Sequence, residues 1–123
     1  SPACLSLGAN MTTLNFALAR ALERRLAPGD EVVITALDHE ANRGPWQRLA
    51  ERGVVLREVP LAAPGVLDID QFARVVNART RVIAVGMASN ALGTVTAFAP
   101  IRALAAQVGA LTVVDAVHYA AHL

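Results

Sequence analysis

Apolar and polar positions along the chain alternate between two periods. Short runs of β-formers, apolar on both pleat faces, are separated by segments whose apolar residues recur at helical spacing. That alternation is the signature of βαβ units around a largely parallel sheet. The clearest run, Leu111-Thr112-Val113-Val114, ends in the acid Asp115, and His118 follows three residues later. Comparable runs predict strands at Glu31–Thr35, 54–59 and 81–85, and a short first strand at 3–7.

Helices are predicted between these runs. One spans 11 to about 26, with Leu14, Leu18, Ala21 and Leu22 on one face and Pro28-Gly29 as its stop. A second covers 45–52 and ends at Gly53; a third is capped by Asp68 and runs to about 77. The fourth, Phe98–Val108, carries Pro100 in its first turn and meets Gly109 at its end. Asp38-His39-Glu40-Ala41-Asn42 and Ser89-Asn90-Ala91-Leu92-Gly93 read as loops, and Pro64-Gly65 as a turn. With no repeat, low-complexity tract or linker, residues 1–123 read as one domain, a three-layer α/β/α unit with a mostly parallel sheet.

Composition narrows this picture. At 54% hydrophobic and 4% aromatic, the core must be built from Ala, Val and Leu, and intrinsic disorder is excluded. A net charge of +1 gives no basis for binding nucleic acid or an anionic membrane surface. No apolar run approaches the ~18 residues of a membrane span, and no signal peptide is evident. The one cysteine, Cys4, cannot form an internal disulfide and fits a reducing, cytoplasmic setting. All 11 basic residues are arginine, so the chain contains no lysine. The start at Ser1-Pro2-Ala3 and the stop at Ala121-His122-Leu123 read as those of a piece of a longer protein.

The polar exceptions follow strands. Asp38, His39, Glu40 and Asn42 come after the second predicted strand, Ser89 and Asn90 after the fourth, Asp115 and His118 after the fifth. In a parallel sheet these points share the carboxyl edge, where open α/β sheets bind ligands. Gly8-Ala9-Asn10 opens the long first helix, whose free N–H groups and dipole suit a phosphate. Each element also has a plainer reading. Asn10 serves as a helix cap, Asn90 as a turn former, His39 as a surface histidine, and Asp115 as the cap of the next helix. His118 and His122 lie four residues apart, but no third ligand accompanies them, so no metal site is assigned.

Taken in order, the motifs resemble a family. Gly29-Asp30-Glu31-Val32-Val33, then Asp38-His39-Glu40-Ala41-Asn42 with Trp46, is similar to the class V aminotransferases, and within them the cysteine desulfurases and selenocysteine lyases. Asp68-Ile69-Asp70, Thr80-Arg81-Val82-Ile83-Ala84-Val85, Ser89-Asn90-Ala91-Leu92-Gly93-Thr94-Val95 and Val113-Val114-Asp115-Ala116 follow at the family's spacings. Gly8-Ala9-Asn10-Met11-Thr12-Thr13-Leu14 looks most like the cysteine desulfurase-like subgroup.

The resemblance implies the large domain of a fold type I enzyme that binds pyridoxal 5′-phosphate (PLP). By position, Asp115 matches the acid that pairs with the pyridine nitrogen and His39 the catalytic histidine that stacks on the ring. Asn90 matches the asparagine near the phenolic oxygen. His118 stands where most members have glutamine, and Ala9, Asn10 and Met11 stand where many have a hydroxyl-rich phosphate loop. There, phosphate binding would rest on backbone N–H groups and the Asn10 amide.

The resemblance further implies a cysteine-like substrate, a homodimer and a sulfur-acceptor protein. The family's Schiff-base lysine, substrate-binding arginine and mobile cysteine lie downstream of the matched motifs. Without a lysine, this chain alone is expected to be catalytically silent. Only four strands should form a contiguous sheet, ordered third, second, fourth, fifth, with the fifth an open apolar edge. Two other readings stay open. One is a different class V reaction, such as transamination, racemisation or selenocysteine lyase chemistry; the other is a non-catalytic α/β binding module.

Overall fold

The computed structural model describes residues 1–122. Four strands form one sheet: β1 (Glu31–Thr35), β2 (Val55–Val59), β5 (Thr80–Gly86) and β6 (Leu111–Asp115). Their order is β2-β1-β5-β6, and every pairing among them is parallel. This is the sheet order that the resemblance implies. Leu61–Ala63 (β3) and Val66–Leu67 (β4) make a small antiparallel hairpin that turns at Pro64-Gly65, where Gly65 adopts φ 73°.

The helices α1 (Met11–Glu23), α2 (Glu40–Gln47), α3 (Ile69–Val75) and α4 (Phe98–Val108) cover both faces. All five positions of β1 are buried, so its side chains must serve two cores. Val32, Ile34, Val82 and Ala84 pack with Ala19 of α1 and Trp46 of α2. The alternate residues Val33, Ile83 and Val85 pack with Phe72 of α3 and with Ile101 and Ala105 of α4. The period-2 alternation of strand side chains thus yields the three layers.

Three expectations need correction. Residues 3–7 form no strand: Pro2–Cys4 is a single 3-10 turn, and Leu5 and Leu7 are 75% and 97% exposed. No neighbouring strand among the described residues offers them a ladder, and a lone strand cannot satisfy its backbone. The loop expected at 38–42 already contains a helix start, because α2 begins at Glu40 and continues past Pro45 before tightening into a 3-10 turn at Arg48–Arg52. Here His39 is the N-cap, its Nδ1 accepting from the Ala41 N–H at 3.1 Å. Finally, α1 ends at Glu23 rather than near residue 26.

At the amino edge of the sheet, Glu31 is fully buried and anchors the opposite end from the candidate site. Arg57 donates to its Oε1 at 3.1 Å and Asn77 to its Oε2 at 2.7 Å, with Arg79 at 3.5 Å. The Arg57 guanidinium, with Asn77 after it, holds the carboxyl below its ordinary value although burial opposes this.

Candidate functional site

At the other edge, the ends of β1, β5 and β6 carry loops that converge. Residues from all three, including His39, Ser89, Asn90, Asp115 and His118, line one shallow cleft of about 20 Å³. That volume admits a water-sized group, so a larger ligand would lie across the mouth of the cleft rather than within it. His39, Asn90 and His118 are exposed around this mouth, and Asp115 is half-buried at its side.

Asp115 ends β6 opposite Gly86 in the parallel register. Its Oδ1 accepts from the Val117 N–H at 3.0 Å, starting the short helix α5 (Val117–Ala120) that carries His118. Asp115 therefore does cap the next turn, and Oδ1 is the only one of its carboxylate oxygens so engaged among the described residues. A cap uses one acceptor lone pair and leaves the carboxylate capacity for a cationic or N–H partner. His39, by accepting at Nδ1, carries its neutral-ring proton on Nε2.

The loop between β5 and α4 is shaped by Ser89, whose Oγ accepts from the Ala91 and Leu92 amides at 3.3 and 3.2 Å. An isolated bridge between Ala88 and Val95 closes its base, and Gly93 turns it at φ 68°. Asn90 projects from this turn and lines the cleft.

The remaining candidates stand apart from the cleft. Asn10 is the N-cap of α1, its Oδ1 accepting from the Thr13 N–H at 2.9 Å. Ala9 is exposed just before it. Met11 lines a separate, largely apolar cavity of about 430 Å³ between α1 and β6, which also reaches Asp115. Asp115 is thus the residue common to the two spaces.

One more residue of the cleft lining, Asp38, is held by a dense set of donors. Asp38 accepts from the Thr35 N–H at 3.1 Å and the Thr35 hydroxyl at 2.6 Å, from Asn42 Nδ2 at 3.2 Å, and from the Gly86 N–H. Burial pushes its carboxyl above the ordinary value, against the pull of these donors. The local signal was the Thr35-x-x-Asp38 spacing; its partner Gly86 lies 48 residues away and gave none.

Comparison with known proteins now decides the family. The aminotransferase class-V family profile matches residues 9–123. The chain belongs to the class-V aminotransferase family. Among relatives of this class-V chain, a Pseudomonas aeruginosa protein named "Probable cysteine desulfurase" is 43% identical over 106 residues, 85% of this chain and 26% of its own length. A cysteine desulfurase of Pectobacterium carotovorum is 46% identical over 91 residues, covering 73% of this chain and 22% of its own. The crystal structure of the Escherichia coli cysteine desulfurase CsdA superposes with a TM-score of 0.87 at 30% identity, over 92% of this chain and 29% of that one. This class-V chain thus spans about a quarter of the length of the curated relatives it matches. The fold is that of PLP-dependent transferases, and no helix is long and apolar enough to cross a membrane among the described residues.

Proposed function

We propose that this chain is the part of a cysteine desulfurase that holds pyridoxal 5′-phosphate, and that the cleft at the carboxyl edge is its share of the cofactor site. The observation that carries the reading is the convergence of Asp115, His39, Asn90 and His118, drawn from three separate loops, on that one cleft. Their chemistry fits the cofactor: a carboxylate with acceptor capacity to spare, a flat ring, and two side chains able to donate to a ring oxygen.

When bound, PLP supplies an electron sink for the negative charge that develops beside its amine-bearing carbon. Asp115 would hold the proton of the pyridine nitrogen by pairing with it. His39 would stack on the ring face and act as the catalytic histidine of this half of the site. Asn90 and His118 would donate to the phenolic oxygen. The phosphate would lie at the start of α1, against the backbone N–H groups of Ala9, Asn10 and Met11. Because Asn10 Oδ1 caps the helix, its Nδ2 would be the side-chain donor there.

The names of the relatives support a cysteine-like substrate for the whole enzyme, and sulfur transfer to an acceptor protein is part of the same proposal. A homodimer and a cytoplasmic setting complete the reading; the exposed free thiol of Cys4 suits a reducing compartment. Calorimetric titration of the chain with PLP tests the proposal. Asp115→Asn keeps the cap acceptor but removes the charge, and should weaken binding about tenfold or more, the worth of a charged hydrogen bond. Equal affinity in the variant would refute it.

A further inference from the structure

Asp38 is half-buried and lines the same cleft, yet that reading gives it no cofactor contact. Three of its four partners, the Thr35 and Gly86 amides and Asn42 Nδ2, can only donate, so they select the ionised carboxylate. No arginine or histidine forms an ion pair with it among the described residues. A half-buried anion held only by dipoles rigidifies the groups that hold it.

Those groups come from three elements that frame His39. Thr35 ends β1, Asn42 lies in the first turn of α2, and Gly86 ends β5. Asn42 extends the cluster, because its Oδ1 accepts from Asn15 of α1 at 3.1 Å. Asn15 also donates to the Ala41 carbonyl at 3.1 Å, directly behind the amide that binds His39 Nδ1. On its far side Gly86 pairs in register with Asp115. The Asp38 carboxylate is therefore linked through one amide to the strand position facing Asp115, and through Asn42 to the turn that carries His39.

We propose that Asp38 is a positioning residue for His39: by accepting from Thr35, Asn42 and Gly86, its carboxylate fixes the His39 ring at the cleft that Asp115 lines. The functional meaning rests on the cofactor reading above, whereas the geometry does not. Asp38 lines the same cleft, but its carboxylate oxygens are taken up by Thr35, Asn42 and Gly86, so it acts through the turn.

The test uses ¹⁵N-imidazole spectra of the chain, which report the tautomer of each histidine. In the native chain His39 should show a single tautomer with its proton on Nε2. Asp38→Asn places an NH₂ group against an N–H donor, and should release the turn into a mixture of tautomers while His122 stays unchanged. Thr35→Val removes one donor and keeps the carboxylate, and should make a second tautomer of His39 detectable, though less populated than in Asp38→Asn. The Trp46 indole signal reports folding in each variant. If Asp38→Asn does not fold, Thr35→Val carries the test alone. An unaltered His39 spectrum in a folded variant overturns the proposal. PLP titration of the same samples separates the two ideas. Absence of PLP binding to the native chain defeats the cofactor reading, while the tautomer result still decides the role of Asp38.

Discussion

Gly86 and Asp38 are shaped for each other. The Gly86 N–H donates to Asp38 Oδ1, and a Cβ built on Gly86 would stand only 2.9 Å from that same oxygen. The backbone at Gly86 needs no unusual dihedral, so the requirement for glycine is one of close approach. Gly86→Ala should displace the carboxylate and destabilise the chain by about 1–3 kcal/mol, the usual range for overpacking. A shift in urea midpoint at constant m checks this; a change within ~0.5 kcal/mol, typical of unconstrained surface sites, would remove the steric argument.

The contact between these residues also shows what a sequence can and cannot convey. Glu31–Thr35, Phe98–Val108 and Leu111–Asp115 were legible to the residue, because apolar runs and a Gly109 stop in the left-handed region define them locally. Residues 3–7 had strand-like composition but lack a ladder partner, which no local pattern reveals. The start of α2 was hidden because histidine is not a usual N-cap. The convergence of His39, Asn90, Asp115 and His118 followed from parallel topology alone, whereas the role proposed for Asp38 depends on a glycine 48 residues away.

Asn10 separates a cap from a ligand. Asn10→Ala should cost about 1 kcal/mol by loss of the bond to the Thr13 amide. Asn10→Asp keeps the cap and complements the dipole of α1, so stability should hold or rise. The added charge should nevertheless weaken PLP binding if the phosphate lies there. Denaturation and titration of both variants check the pair; unchanged PLP affinity in Asn10→Asp would move the phosphate elsewhere.

Two acids, the buried Glu31 and the half-buried Asp38, give opposite pH dependences. Glu31 has a folded pKa held down by Arg57, so its contribution is present above its unfolded value, about 4.3, and is lost as pH falls through the folded value. Asp38 has a folded pKa raised by burial, so its contribution is present below its unfolded value, about 3.9, and is lost as pH rises through the folded one. Urea midpoints measured across pH 2–7 should therefore fall less steeply toward acid in Glu31→Gln than in the native chain. In Asp38→Asn the decline on raising pH above about 4 should disappear. Parallel profiles for native and variant would contradict the assignments.

The outer edge of β6 carries no strand among the described residues, and Leu111 on it is 47% exposed. Such edges template association between chains. Leu111→Lys should reduce self-association without loss of fold. Sedimentation velocity at rising concentration checks this, and an unchanged distribution would exonerate the edge.

The convergence of Asp115, His39, Asn90 and His118 on one cleft is tested most directly by amide and imidazole chemical shifts of the chain titrated with PLP. Saturable shifts should centre on these residues and on the first turn of α1, and with Asp115→Asn should need about tenfold more PLP to saturate while the cap at Val117 persists. Shifts that never saturate, or that centre on the outer faces of the helices and survive the substitution, would contradict the cofactor site.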